Sequence, residues 1–206
     1  MDTKHRILDE ALTLFAQKGY ANVYVGEIAE KVGIKAPSLY KHYKNKQAIF
    51  DAIIDEMNQR YEEQAGALNI SGMNPAEDAS VYRNISEDRL VKIGTGLFLY
   101  FLHDDYTCRF RKILTIEQFH NQEFAKLYSS QYVDGPISYQ KMLFHCMIAS
   151  GAFNHADADL MTLQFYAPIY MLLTLCDREP DREAEALALL EKHFKQFSKI
   201  YGGTQP

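Results

Sequence analysis

Apolar positions recur at spacings of three and four residues along almost the whole chain, and no segment shows the strict alternation of a half-buried strand. The first such stripe shares one helical face: Ile7, Leu8, Ala11, Leu12 and Phe15. Gly19 follows at the position where a left-handed residue would end the helix. The pattern therefore predicts an all-α protein.

Two short helices are predicted next, over about Glu27–Val32 and from Pro37 onwards. Gly33 lies between them and can adopt the positive φ of a tight turn, while Pro37 suits a first helical position. A longer helix is predicted from Lys46, and the glycines, asparagines and proline of residues 66–78 predict a loop. Further helices are expected from Ser86 and over about residues 108–119, 123–150 with an interruption at Gly135–Pro136, 157–176 and 181–201.

The charge is unevenly distributed. The whole chain has a formal net charge of −5, yet residues 1–46 hold eight Lys/Arg against five Asp/Glu. Five lysines and no acid stand between residues 31 and 46: Lys31, Lys35, Lys41, Lys44 and Lys46. Because phosphate binding needs a local positive surface rather than a basic chain, this segment is a candidate for contact with nucleic acid.

Residues 26–46 have the pattern of a helix-turn-helix. Ala29 stands where two short helices would approach closely, four residues before the turn at Gly33. The second helix would present its polar side chains outward, with its first turn near base edges of the major groove: Lys35, Ser38, Tyr40, Lys41 and His42. The plainer alternative is a helical hairpin with a solvated lysine face.

The first fifty or so residues resemble the DNA-binding domain of the TetR family. The resemblance is carried by Ala11, Leu12, Phe15 and Gly19, by GEIAEKVGI, and above all by PSLYKHYKNKQAIF. It implies a recognition helix over residues 37–43. It also implies phosphate contacts from Tyr40, His42 or Tyr43, and Lys46, and base or phosphate contacts from Lys35, Ser38 and Lys41. One departure is that Val23-Tyr24-Val25-Gly26 replaces the usual Thr or Ser before the first helix of the motif.

The resemblance divides the chain into a helix-turn-helix domain over residues 1–46 and a helical ligand-binding and dimerisation domain over residues 47–206. The stretches FRKILTIEQFHNQEFAKLY and LQFYAPIYMLL also resemble the family's C-terminal domains. It implies a homodimer that binds double-stranded DNA at a near-palindromic operator, and a small-molecule effector that releases it. The sequence names neither the effector nor the sign of regulation.

Two apolar stripes near the C-terminus favour a dimer interface of four helices, two from each subunit. One stripe comprises Leu187, Leu190, Phe194, Phe197 and Tyr201, and the other Leu160, Leu163, Ala167, Met171 and Thr174, with Pro168 bending the helix. The alternative is that both stripes pack within one chain. Ligand-pocket candidates are equally good core residues: Tyr100, Phe101, His103, Phe119, His120, Tyr139, Met142, Phe144, Phe165 and Tyr166.

Motifs for enzyme or metal chemistry are weak. Glu117-x-x-His120 has the spacing of a di-iron helix motif, but no second copy accompanies it. His155, Asp157 and Asp159 also suit a helix start. The three cysteines match no metal spacing and, being odd in number, no disulfide framework. No metal and no cofactor is therefore expected.

The remaining expectations concern location and class. No secretory signal and no stretch of membrane-spanning length is expected, which favours the cytoplasm. The leading hypothesis is a DNA-binding transcriptional regulator, with ligand-relieved repression implied by the resemblance. The alternative is a helical small-molecule-binding protein or enzyme with no role at DNA.

Overall fold

The chain is all-helical in a computed structural model, which describes residues 2–83, 85–154 and 156–202. About 80% of the chain is helical, and the described residues contain no strand. The α-helices are α1 Thr3–Lys18, α2 Val25–Val32, α3 Ala36–Leu39, α4 Lys46–Ala67, α5 Pro75–Tyr82, α6 Glu87–His103, α7 Asp105–Glu117, α8 Gln122–Ser129, α9 Gly135–Ala149, α10 Ala158–Arg178 and α11 Glu183–Tyr201. The predicted fold class is confirmed.

The helices form two compact units. Unit 1 comprises Met1–Tyr61 with Asp104–Tyr128, and unit 2 comprises Glu62–His103 with Ser129–Pro206. Unit 1 is thus built from two separate stretches of chain, because α7 packs along α1. The packing units do not follow the expected division at residue 46; the functional domain boundary stays a prediction.

The core of unit 1 is formed by α1, α4 and α7. Fully or almost fully buried aliphatic side chains come from each of the three helices: Ile7, Leu12, Ile49, Ile53, Ile113 and Leu114. Aromatic rings complete it, with Phe15, Tyr20, Phe50, Phe110 and Phe124 in mutual contact. Helix α2 packs on α1 beside this core, and α3 packs on α2.

The ends of the N-terminal helices follow local chemistry. Asp2 caps α1 by accepting a hydrogen bond from the His5 amide at 2.9 Å. Gly33 adopts φ 76° and ψ 31°, the left-handed conformation predicted for the turn. Gly19 has a positive φ of 81° but an extended ψ of 151°, so it ends α1 without a left-handed helical residue.

Two parts of the middle of the chain differ from expectation. The loop predicted over residues 66–78 contains the start of α5, where Asn74 caps the helix and Pro75 occupies its first turn. The interruption predicted at Gly135–Pro136 is instead a π-helical turn, Ser130–Asp134, that continues into α9. The Gly135 amide bonds the carbonyl of Ser130, five residues back, so the helical path continues through the proline.

The core of unit 2 corrects half of the predicted dimer interface. Leu190, Phe194 and Phe197 on α11 are 0%, 1% and 4% exposed, and Leu187 packs against the same cluster. They pack against α6 and α10 of their own chain, which is the alternative left open by the sequence. Leu190, Phe194 and Phe197 are therefore buried within their own chain, whereas half-buried Leu187 stays a prediction for the interface.

The stripe on α10 behaves differently. Leu163 and Met171 are each 57% exposed, and Ala167 between them is exposed as well. The buried side of the same helix carries Met161 and Leu172, which face the rest of unit 2. The predicted interface on α10 therefore remains available and stays a prediction.

The expectation that no stretch is long enough to span a membrane is wrong for α10. Within the described residues, α10 is one helix of 21 residues whose apolar window, with a mean hydropathy of 1.2, is sufficient in length and composition to cross a membrane. It packs against α6, α9 and α11 in unit 2. Core helices of water-soluble proteins meet the same criterion, so this property alone assigns no membrane role.

Candidate nucleic-acid interface

The helix-turn-helix is assembled as the sequence predicts. Ile28, Ala29 and Leu39 are buried between α2 and α3, with Ala29 2% exposed at their closest approach. The turn is closed by a hydrogen bond of 2.9 Å from the Ile34 amide to the carbonyl of Ala29. Outside the turn, Arg6 on α1 donates from Nη2 to the carbonyl of Val32 at 2.5 Å and thereby satisfies the end of α2.

The start of α2 uses an acid where the family usually has a hydroxyl. The Tyr24 amide donates to Oε1 of Glu27 at 3.2 Å, and Glu27 also forms an ion pair with Lys18. The Lys18 ammonium, and after it the Tyr24 amide, lowers the pKa of the Glu27 carboxyl. The Tyr24 side chain is 73% exposed, so its hydroxyl is free to reach a phosphate.

The expected recognition helix is shorter than residues 37–43. Regular α-helix ends at Leu39, and the chain then continues in tight turns, with the Lys41 amide on the Ser38 carbonyl and the His42 amide on the Leu39 carbonyl. Lys35 is the N-cap residue. The segment therefore presents one α-helical turn followed by a tighter one.

Most of the predicted contact residues lie at the surface. Lys35, Tyr40, Lys41 and His42 are exposed, and Ser38 is half-buried. Lys31 and Lys44 are also exposed, and no carboxylate in the described ranges forms an ion pair with any of the four exposed lysines of residues 31–44. This surface, Lys31, Lys35, Tyr40, Lys41, His42 and Lys44, is called the basic face below.

Tyr43 does not belong to the basic face. Its side chain is 6% exposed, its hydroxyl is buried and no described residue bonds it. Burial raises the pKa of this hydroxyl. The ring packs into the core of unit 1 with the Lys4 ammonium 5.8 Å from its centroid. Of the two alternatives for the phosphate contact, His42 is the accessible one.

Lys46 also departs from the expected role. Its Nζ donates to the carbonyl of Tyr20 at 2.7 Å and of Val23 at 2.9 Å, with Ala21 at 3.4 Å. The ammonium lies 4.4 Å from the centroid of the Tyr20 ring, and burial lowers its pKa. Since an ammonium has three donors, Lys46 serves the α1–α2 loop of its own chain rather than a phosphate.

The N-terminus of α4 is still available to an anion. Asn45 accepts a hydrogen bond from the Ala48 amide at 2.8 Å and so caps the third position of the helix. The amides of Lys46 and Gln47 precede the first intrahelical bonds. A phosphate could use these amides and the positive end of the helix dipole without the Lys46 side chain.

Four of the predicted pocket residues do not line an enclosed cavity. Phe119 is 80% exposed and lies with exposed His120 in unit 1, just after α7. Met142 is 54% exposed on α9, and exposed His103 contacts Glu183 through Nε2 at 3.0 Å. Phe119 and His120 thus follow the end of α7, and Met142 and His103 lie on the exposed sides of α9 and α6.

The other six pocket candidates lie in unit 2, where Phe144 is buried and the remaining five are half-buried. Tyr139 donates its hydroxyl to buried Asp78 at 2.5 Å, and Tyr166 donates to the carbonyl of Tyr132 at 2.7 Å. Phe165 packs in an aromatic cluster with Phe144, Phe194 and Phe197. Phe101 contacts the neighbouring hydrophobic cluster. A ligand site among these residues stays a prediction.

The weak metal motifs separate in the structure. Glu117 is 7% exposed and accepts a hydrogen bond from the Tyr20 amide at 2.8 Å, whereas His120 is exposed. Asp157 caps α10, and Asp159 pairs with Lys141 at 2.5 Å. His155 lies outside the described residues. Within the described ranges no group of three His, Cys, Asp or Glu is arranged to hold a metal ion.

Glu117 is the functional candidate that the sequence argument overlooked. The Glu117-x-x-His120 spacing indicates a metal motif, yet α7 buries Phe110, Ile113 and Leu114 on the face that Glu117 continues. An acid in register with a buried stripe is a signal for a specific internal partner. The helical period of α7 alone would have singled it out.

Comparisons with known proteins match the part of the chain that contains the helix-turn-helix. Residues 7–53 match the model of the bacterial regulatory proteins of the tetR family. The negative transcriptional regulator IcaR of the icaADBC biofilm operon of Staphylococcus epidermidis is 47% identical over 47 residues, which cover 23% of this chain and 25% of IcaR. The match thus spans about a quarter of the length of the curated relatives.

Solved structures extend the likeness in fold to the whole chain. SmeT, the repressor of the Stenotrophomonas maltophilia multidrug efflux pump SmeDEF, has a TM-score of 0.65 and 16% identity, covering 99% of this chain and 92% of SmeT. The fatty acid degradation regulator FadR of Bacillus halodurans has a TM-score of 0.64 and 16% identity, covering 96% and 95%. The match to the tetR family model thus covers residues 7–53, and the solved structures add a likeness in fold over almost the whole chain.

Proposed function

We propose that this protein is a transcriptional regulator that binds operator DNA through its basic face. The observation that carries the proposal is that four lysines, Lys31, Lys35, Lys41 and Lys44, are exposed on a helix-turn-helix and have no carboxylate partner among the described residues. Each is free to replace a condensed counterion on a phosphate. Tyr40 and His42 add donors beside them, and Ser38 lies where the short helix meets base edges.

The protein acts as a homodimer joined through α10. Leu160, Leu163, Ala167 and Met171 form an exposed apolar stripe on that helix, and α11 contributes exposed Leu189 and Ile200. An unpartnered stripe of this kind is typical of a subunit interface. Two copies related by a twofold axis present two basic faces, which suits a near-palindromic operator with half-sites one helical turn or a multiple of it apart.

Regulation is repression relieved by a small apolar or amphipathic molecule that binds unit 2. Support comes from the half-buried aromatic residues there, notably Phe165 and Tyr166, and from relatives: IcaR is a negative regulator, SmeT is a repressor, and SmeT also has a structure with triclosan. The effector must bind the DNA-free state more tightly than the DNA-bound state. A difference of about 1–3 kcal/mol corresponds to roughly 5–150-fold weaker DNA binding.

Operator binding is tested by selection from a random DNA pool, followed by fluorescence anisotropy of the selected duplex between 50 and about 200 mM salt. We expect an affinity that falls steeply with salt and exceeds that for a scrambled duplex by about a thousandfold or more. The proposal would be contradicted if no sequence were enriched by the selection, or if the selected duplex bound no more tightly than the scrambled one. Effectors are sought by screening small molecules, triclosan among them, for those that raise the melting temperature of the protein. We expect at least one of these compounds to weaken operator binding.

A further inference from the structure

The loop between α1 and α2 is bonded on both sides of a single residue by charged side chains from distant helices. The Tyr20 amide donates to Oε1 of Glu117 at 2.8 Å, across 97 positions of sequence. The Tyr20 carbonyl accepts from Nζ of Lys46 at 2.7 Å. Both peptide groups of Tyr20 are thus held by charge-assisted hydrogen bonds, which are stronger than bonds between neutral groups.

The shape of the loop fits the carboxylate. Gly19 adopts a φ of 81°, and a β carbon built there would come within 2.8 Å of Oε1 of Glu117. Any other residue at position 19 would both strain the backbone and displace the acid. The glycine therefore gives Glu117 access to the Tyr20 amide.

The Tyr20 side chain prevents the loop from moving alone. Its ring lies 5.0–5.2 Å from the ring centroids of Phe15, Phe50 and Phe124, and its hydroxyl donates to Gln47 on α4 at 2.9 Å. Displacement of the Tyr20 backbone would disturb the packing at the start of α4. The loop, α4 and the end of α7 consequently share one set of contacts.

The loop leads directly into the helix-turn-helix. Val23, which is fully buried, gives its carbonyl to Lys46 at 2.9 Å, and the next residue, Tyr24, is the N-cap of α2. Helix α2 carries Lys31 and packs on α3, and the other residues of the basic face flank α3 on both sides. The position of the Tyr20 peptide therefore sets where α2 begins.

We propose that Glu117 is a positioning residue for DNA binding, acting through the Tyr20 amide and, with Lys46, fixing the α1–α2 loop. The end of α7 thereby controls operator affinity without contact between Glu117 and DNA. The inference rests on the proposed DNA-binding function. It also has a distinctive sign: by charge alone, removing an acid from a DNA-binding protein would strengthen binding, whereas loss of positioning weakens it.

The first test compares Glu117→Met, which fills the same space without a strong acceptor, with Glu117→Gln, which keeps an acceptor oxygen. Operator affinity is measured by anisotropy at several salt concentrations, with folding checked by circular dichroism. We expect Glu117→Met to bind about tenfold more weakly with an unchanged salt slope, and Glu117→Gln to bind within about threefold of the wild type. Glu62→Ala, which removes an exposed acid, serves as the charge-matched control and should not weaken binding.

Several results would overturn the proposal. Wild-type or tighter binding by Glu117→Met would do so, as would equal weakening by Glu117→Gln, because the hydrogen bond would then not be the route. Failure of the wild type to bind any selected duplex would instead remove the proposed function, and this inference with it.

The second test asks whether Glu117 and Lys46 act on the same loop. Lys46→Met should weaken operator binding with no change in salt slope, because its ammonium bonds carbonyls rather than phosphate. The double variant Glu117→Met/Lys46→Met should have an operator affinity within about twofold of that of the single variant that binds less tightly. A loss equal to the product of the two single losses would show independent action and contradict the shared loop.

Discussion

The Phe194 ring lies so close to Gly94 that a β carbon on the glycine would come within 2.3 Å of it. This contact joins α6 to α11 inside unit 2 and explains why Phe194 is unavailable to a second subunit. Gly94→Ala should destabilise the protein by about 1–3 kcal/mol despite the higher helix propensity of alanine. Chemical denaturation followed by circular dichroism measures the change.

Gly66→Ala is the matched control for this prediction. Gly66 lies in α4, and a β carbon there would meet nothing within 4 Å. The substitution should stabilise the protein by up to about 1 kcal/mol through helix propensity alone. Equal effects from the two glycine variants would show that the Gly94–Phe194 contact does not constrain α6.

The dimer interface is predicted to depend on the exposed stripe of α10. Met171→Glu places a charge in the centre of that stripe and should convert the dimer to a monomer, measured by light scattering after gel filtration. Met142, 54% exposed on α9, provides the control, because Met142→Glu adds the same charge to an exposed methionine outside the stripe. A Met171→Glu protein that remains dimeric would exclude α10 from the interface.

Substitutions at Lys41 and Tyr43 should distinguish a residue that contacts DNA from one that is buried in the core. Lys41→Ala should weaken operator binding and reduce the salt slope by about 1, because one phosphate contact is lost. Tyr43→Phe should leave operator affinity unchanged, since the hydroxyl is buried and no described residue bonds it. A loss of affinity in Tyr43→Phe that equals the loss in Tyr40→Phe would return Tyr43 to the interface.

The cap of α2 should respond to acid. Because Lys18 lowers the pKa of Glu27, the stabilisation is present at neutral pH and is lost as the pH falls through the pKa of the folded state. Lys18→Met should therefore raise the pKa of Glu27, measured by NMR titration of its carboxyl carbon. Lys112→Met, which removes an exposed lysine from α7, should leave it unchanged; equal values in all three proteins would contradict the role of Lys18.

Helices with one strongly apolar face were predictable from sequence, because the period of the buried positions specifies both the element and its inward side. The start of α5 does not follow from the sequence alone, because Asn74-Pro75 is typical of a loop and an N-cap residue followed by proline also begins a helix. Such a dipeptide is compatible with both a loop and a helix start. Packing decides between them, and here the burial of Asp78 and Ala79 favours the helix.

The candidate site shows a different limit. Exposure of Lys35 and Lys41 followed from the helical pattern, but the pattern of α11 could not show whether Phe194 and Phe197 face their own chain or a second one. Nor could it show that the Lys46 ammonium bonds the Tyr20 carbonyl. These are contacts between residues far apart in sequence, and a single sequence contains no periodic signal for them.

DNA binding by a dimer through its two basic faces is tested most directly by a footprint of the protein on its selected operator, with the wild type compared with a Lys35→Ala/Lys41→Ala variant. We expect two protected half-sites related by a twofold axis, with centres one helical turn of about 34–36 Å or a multiple of it apart. We also expect the variant to lose both half-sites together at the concentration that protects them in the wild type. Protection that is unchanged in the variant, or no protection by the wild type at any concentration, would contradict binding through the basic face.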